Sequence, residues 1–140
     1  MDEEGVIDAL NRALRLQYRS ALAYTVVAGS LVGLRFAPLA RQLAEFARAE
    51  LDDTRRVIEK IVTLEGTPAT DVAEVRCHAD GGAALAWLLD IEDEAIDTLE
   101  DCIPPTGQEG RSEALEHRLE HMIMRKQEQR DTLARAAREP

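Results

Sequence analysis

Residues 37–64 read APLARQLAEFARAELDDTRRVIEKIVTL and contain the clearest helical pattern of the chain. Its apolar residues recur at the spacing of three and four that is typical of one face of an α-helix. They are Leu39, Leu43, Phe46, Val57, Ile61 and Leu64. The same spacing places Glu50 and Asp53 on this apolar face, between Phe46 and Val57. Pro38 suits a first helical turn and Gly66 ends the pattern, so the stretch predicts a long helix with two carboxylates on its buried side.

Three other segments have the same periodicity. We predict helices over residues 5–34, 83–103 and 111–137, and an irregular connection over residues 67–82. No strand pattern is present. Short links force neighbouring helices to be antiparallel. The long connection over residues 67–82 can instead run the length of a bundle. The sequence therefore predicts a single all-α domain over residues 1–140, a four-helix bundle with one long crossover between the second and third helices.

Composition and charge exclude several classes of protein. The 140 residues are 45% hydrophobic and 31% charged, with a formal net charge of -10, so we expect a globular chain that binds neither nucleic acid nor anionic lipid. The acidic start MDEEGVIDAL lacks the basic and apolar parts of a signal peptide. Residues 21–34 are apolar but too short to span a membrane, and we predict that they are buried. Cys77 and Cys102 are too few for a disulfide framework, which fits a cytoplasmic protein.

Each predicted helix has a polar interruption near the middle of its apolar stripe. The six residues at these interruptions are Gln17, Glu50, Asp53, Glu92, Lys126 and Gln129. We expect them to meet in one layer inside the bundle. Three carboxylates and one ammonium give that layer a formal charge of -2, which a divalent cation held by hard oxygen ligands would neutralise. Alternatively, desolvation keeps one or two carboxyls protonated and Lys126 bridges the remainder, so that no metal is required.

Four short motifs resemble the ferritin-like superfamily and, within it, the bacterioferritins. They are Leu10-Asn11 in the first helix, Gln17 followed seven residues later by Tyr24, the run IEKIVTLEGTP at residues 58–68, and Glu92-x-x-Ala95-Ile96 in the third helix. The resemblance extends from about Leu10 to Leu133. It implies a ferritin-like bundle and a function in handling iron or another metal.

The resemblance also implies where metal ligands would lie. In that family two irons are held by a glutamate from each of two helices and an ExxH pair from each of the other two. The matching positions here are Gln17, Glu50 with Asp53, Glu92, and Lys126 with Gln129. Both histidines are absent, and the ammonium of Lys126 cannot ligate a metal. We therefore expect a degenerate centre with no catalytic residues, which is not a competent ferroxidase. It would hold at most one iron or other divalent metal, through Glu50, Asp53, Glu92, Gln17 and Gln129.

Two further departures concern haem and assembly. The family's haem-binding methionine falls on Leu51, so we expect no haem. The sequence ends at Pro140, where bacterioferritins continue into a fifth helix that closes their shell, so we expect no fifth helix and no closed shell. The resemblance still implies a homo-oligomer, at least a dimer through the faces of the first two helices. A mixed oligomer with a metal-competent homologue is the alternative.

Other candidate residues lie outside the polar layer. His117 and His121 are four residues apart on the fourth helix, away from its apolar stripe, and we predict contact with solvent or another subunit. We interpret Cys77-His78 as surface residues of the crossover and Tyr24 as a packing residue. Three functional hypotheses remain: a metal-handling protein with a degenerate centre, a metal-free scaffold or interaction protein, and a divergent oxidase with one metal.

Overall fold

The computed structural model describes residues 1–107 and 109–138 and contains the four predicted helices. These are α1 (Glu3–Ser30), α2 (Ala37–Thr63), α3 (Gly81–Glu100) and α4 (Glu113–Ala137). A short 3-10 turn at Leu34–Phe36 lies between α1 and α2, and two more, at Pro104–Thr106 and Gly110–Ser112, lie between α3 and α4. No strand occurs in the described ranges. The prediction of an all-α four-helix bundle is confirmed.

Side-chain caps and glycines set the ends of the helices. The Asp2 carboxylate accepts from the backbone N–H of Gly5 at 3.0 Å and begins α1. The Asp80 carboxylate accepts from the backbone N–H of Ala83 at 2.9 Å and caps α3. This helix begins at Gly81, two residues before the predicted position. The predicted end of α1 was wrong by four residues, because the chain leaves the helix after Ser30 and passes through Gly33, whose φ of 100° strongly favours glycine.

The long connection between α2 and α3 lies along α1 and spans the bundle. The Tyr18 hydroxyl donates to the carbonyl of Ala69 at 2.8 Å, and the N–H of Ala73 donates to the carbonyl of Arg15 at 3.3 Å. The connection ends where Gly81 packs against Phe36, so closely that an added Cβ would lie 2.6 Å from the ring. Since Phe36 directly precedes α2, α3 begins at the end of the bundle where α2 begins. The predicted crossover is confirmed.

Two apolar clusters form the core, one toward each end of the bundle. The first comprises Val6, Ala9, Leu10, Ala13, Leu14, Val57, Ile61, Leu99, Cys102, Leu115, Leu119 and Met122. The second comprises Ala23, Tyr24, Val27, Leu43, Ala84, Leu85, Leu88, Ile91 and Leu133. On α3 the buried apolar residues include Leu88 and Ile91, whereas Leu89 is only half-buried. Between the two clusters, every helix contributes buried polar side chains.

The prediction that residues 21–34 are buried was wrong in part. Leu22, Val32 and Leu34 are 47%, 79% and 95% exposed. The cause is that α1 ends at Ser30 and that α1 and α2 leave a shallow apolar groove of about 510 Å³ between them. Leu51 also lines this groove and is exposed. No described helix has the length and apolar character that crossing a membrane requires.

Candidate functional site

All six residues predicted for the polar layer are buried. None is more than 2% exposed, although all six are polar or charged: Gln17, Glu50, Asp53, Glu92, Lys126 and Gln129. Gln17, Glu50, Lys126 and Glu92 form one connected set of contacts across four helices. Asp53 lies one turn after Glu50, and Gln129 one turn after Lys126. Polar side chains from all four helices thus meet in the core, as the sequence pattern indicated. The role of these residues as metal ligands stays a prediction.

Lys126 lies at the centre of this layer. Its Nζ is 3.0 Å from Glu50 Oε2, 3.1 Å from Glu92 Oε1 and 3.3 Å from Ser20 Oγ. An ammonium has three protons to donate, and these three acceptors match that number. The lysine therefore joins α4 to α1, α2 and α3 through a single buried group.

Two side chains of α1 also donate hydrogen bonds to the glutamates. Gln17 Nε2 donates to the carboxylate of Glu50, and to the Glu50 backbone carbonyl at 3.1 Å. The Ser20 hydroxyl donates to Glu92 Oε1 at 3.0 Å. The sequence analysis did not predict Ser20 as part of the layer. Its position three residues after Gln17, on the same side of the helix, could have indicated it.

Asp53 has a partner that the sequence analysis also missed. The Arg125 guanidinium forms an ion pair with the Asp53 carboxylate and donates to the Ala49 carbonyl at 3.3 Å. Arg125 immediately precedes Lys126, and its long side chain reaches the edge of the layer from a half-buried position. The layer therefore carries three carboxylates and two cations, and its formal charge is -1 rather than the expected -2.

Comparison with known families then identifies the fold. A family model described as a ferritin-like domain matches residues 7–139. The chain belongs to the ferritin-like family. A search of curated proteins finds no match for this ferritin-like protein.

Solved structures give the same fold. A ferritin-like, diiron-carboxylate protein from Bacillus anthracis str. Ames superimposes with a TM-score of 0.91 and 25% identity, over 99% of both chains. The dodecameric thioferritin, a bacterioferritin-related protein from Bacteroides fragilis, gives 0.85 and 20% identity, over 97% of this chain and 86% of that one. BfrA from M. tuberculosis gives 0.80 and 19% identity, over 92% and 80%.

The polar layer of this ferritin-like protein holds a cation of the chain itself between two of its carboxylates. The Lys126 ammonium lies between Glu50 and Glu92, and its positive charge would repel a cation placed between the same carboxylates. Within residues 1–107 and 109–138, no group of three or more His, Cys, Asp and Glu side chains is arranged to hold a metal ion. The carboxylates of the layer are paired with the cations of Lys126 and Arg125, so the layer is an ion-paired core.

Burial shifts the pKa values of the central pair. Burial and the charge of Glu50 raise the pKa of Glu92, although Lys126 and Ser20 act in the opposite direction. Burial by itself would lower the pKa of Lys126, but the charges of Glu50 and Glu92 outweigh it and the pKa is raised above 10.5. The two carboxylates therefore favour the ammonium form of Lys126. A single proton on Glu92 would bring the charge of the layer to zero without a metal.

Tyr24 and Cys77 lie where their sequence context indicated, whereas His78, which was predicted at the surface, is half-buried against Trp87. Tyr24 is buried and packs edge-to-face on Phe46, with ring centroids 5.6 Å apart, and burial raises its pKa well above 10.0. Cys77 and Cys102 are free thiols; Cys77 is exposed, and burial raises the pKa of Cys102 to about 12. The His78 ring lies 5.6 Å from that of Trp87.

Proposed function

We propose that this ferritin-like protein is a subunit whose core holds no metal, in which Lys126 replaces the metal as the cation of the bundle core, and that it acts through its surfaces. The observation that carries the proposal is the position of Lys126 Nζ, 3.0 Å from one glutamate and 3.1 Å from the other. A cation fixed in the chain permanently offsets one of the two negative charges of those carboxylates. The bundle is then stable without a bound ion, and its helical faces remain available for association.

The exposed groove between α1 and α2 supports a self-associating face. Its walls are small and apolar, with Ala21, Leu22 and Ala44 among the lining residues. Contiguous exposed apolar surface of this kind marks association sites in many proteins. The similarity to a dodecameric protein from Bacteroides fragilis supports a homo-oligomer. A mixed oligomer with a metal-competent homologue would use the same face.

Iron content and ferrous oxidation test the proposal together. Tag-free protein is incubated with Fe²⁺ without oxygen, desalted, analysed for bound iron, and then exposed to air while ferric absorbance is followed. We expect no iron retained in the layer and no oxidation faster than that of free Fe²⁺. Rapid oxidation at two irons per chain would contradict the proposal.

A metal-handling protein with one core metal is the second candidate function. It is supported by three buried oxygens that have no hydrogen-bond partner among the described residues: Glu50 Oε1, Glu92 Oε2 and Gln129 Oε1. Unpaired buried oxygens are costly and are candidate ligands for a bound ion or water. One equivalent of metal that is lost on Glu50→Gln would favour this candidate. Oxygen consumption that is lost on Glu92→Ala would favour a one-metal oxidase.

A further inference from the structure

Two exposed imidazoles lie on the outer face of α4, outside the polar layer. His117 and His121 are separated by one helical turn, and at that spacing side chains are neighbours on a helix surface. Both side chains line a shallow surface cleft of about 580 Å³, together with Ala114, Arg118, Glu120 and Met124. Both histidines are exposed and lie outside the two apolar clusters of the core.

Carboxylates orient the first imidazole. His117 Nε2 lies 3.3 Å from Glu113 Oε1, and His117 Nδ1 lies 4.0 Å from Glu120 Oε2. With its Nε2 proton donated to Glu113, the ring presents the lone pair of Nδ1 on the side of Glu120, the residue next to His121. Metal-binding histidines characteristically donate the second ring N–H to a carboxylate in this way.

We propose that His117 and His121 form a surface site that binds one borderline-soft divalent cation, of the class of Zn²⁺, Ni²⁺ and Cu²⁺. Two imidazoles one turn apart can hold such an ion from the same side of a helix, as in the HExxH zinc motif. Imidazole nitrogen suits these ions, whereas Mg²⁺ and Ca²⁺ require oxygen ligands. The thioether of Met124, which is exposed one turn further on, adds a soft donor beside the pair.

Charge and accessibility are consistent with this site. The chain carries a formal net charge of -10, which attracts cations to its surface, and Arg118 is the opposing charge within the cleft. Because the described residues contain no group of three or more His, Cys, Asp and Glu arranged to hold a metal, the site is a two-imidazole chelate completed by water. It is separate from the Lys126 layer, and it does not depend on the function proposed above.

Calorimetric titration of tag-free protein with ZnCl₂, and in parallel with CaCl₂, tests the proposal. We expect one Zn²⁺ per chain and no saturable binding of Ca²⁺. His117→Ala and His121→Ala should each weaken Zn²⁺ binding at least about tenfold. The double variant should lose little more than either single variant, because a chelate needs both rings.

His78→Gln is the matched control, since His78 is the other histidine of the chain and lies on the crossover. It should leave the affinity for Zn²⁺ unchanged, and circular dichroism should show equal helicity in all variants. Unchanged Zn²⁺ affinity in both single variants, or no Zn²⁺ binding by the wild type, would overturn the proposal. Zn²⁺ binding that survives in the double variant but is lost in Glu50→Gln would instead place the ion in the core and would contradict the proposal of a metal-free core as well.

Discussion

The Lys126 ammonium lies 3.0 Å from the Glu50 carboxylate, and neither side chain is exposed. The same ammonium is 3.1 Å from Glu92, so one cation serves two buried anions. Taking charged groups out of water is costly, and this cost is offset only while each charge keeps its partners. The stability of the layer therefore depends on Lys126 more than on any other of its residues.

Lys126→Met should destabilise the protein strongly. The substitution keeps an unbranched side chain in the core but leaves Glu50 and Glu92 without their shared cation. Breaking a buried ion pair by removing one partner costs about 3–5 kcal/mol. We expect a decrease of that size in the free energy of unfolding, measured by urea denaturation at pH 7.

Lys60→Met is the control for this prediction. Lys60 is the other lysine of the chain and lies half-buried in the last turn of α2, outside the layer. Its replacement should change the free energy of unfolding by no more than about 0.5 kcal/mol. Equal effects of the two substitutions would show that Lys126 is not the central cation.

Arg125→Gln and Arg130→Gln should differ, although both change an arginine of α4. Arg125 pairs with Asp53, which is 1% exposed, whereas Arg130 pairs with Asp93, which is 50% exposed. Removing Arg125 leaves a buried carboxylate unpaired, at a cost of about 1–3 kcal/mol. Exposed ion pairs contribute about 0–1 kcal/mol. Urea denaturation of the two variants measures the difference, and a larger loss in Arg130→Gln would contradict the assignment of Arg125 to the layer.

Glu92→Gln should remove a pH dependence of stability. Burial raises the pKa of Glu92 above its usual 4.5, so the folded state binds the proton more tightly than the unfolded chain. The stability that this group contributes is then full below pH 4.5 and is lost as the pH rises through the folded-state pKa. The variant behaves as a permanently neutral Glu92. The free energy of unfolding of the wild type should therefore fall relative to that of the variant as the pH rises through this range.

Denaturation curves at a series of pH values check this prediction, with Glu100→Gln as the control on an exposed position of the same helix. The control should follow the wild type across the range. A difference between wild type and Glu92→Gln that grows as the pH falls would contradict a raised pKa at Glu92.

Apolar periodicity was sufficient to predict the helices and the crossover, because a helix that buries one face must repeat its apolar residues every three or four positions. The same rule located the polar layer, since Glu50 or Lys126 on an apolar face must meet a partner in the core. It could not reveal the ion pair of Arg125 with Asp53. Arg125 lies beside the apolar stripe, and the direction in which its long side chain extends is not visible in the spacing of residues. The rule also could not reveal that α1 ends at Ser30, which depends on the turn at Gly33.

Lys126→Glu combined with Gln129→His should raise the affinity of the layer for divalent metal. The pair of changes replaces a cation by a carboxylate and adds an imidazole one turn later, which restores an ExxH pair on α4. Calorimetric titration with Co²⁺, in a His117→Ala and His121→Ala background that removes the surface imidazoles, measures the gain. The same background with Lys126 and Gln129 intact is the reference. An affinity equal to that of the reference would show that these two positions do not face the carboxylates.

The position of the Lys126 ammonium in the presence of iron is the most direct test. Crystals of the wild-type protein grown anaerobically with excess Fe²⁺ would be measured at the iron absorption edge. We predict no anomalous peak between Glu50 and Glu92, with Lys126 Nζ within hydrogen-bonding distance of both carboxylates. An iron peak between those carboxylates, with Lys126 displaced from them, would contradict the replacement of the metal by the lysine.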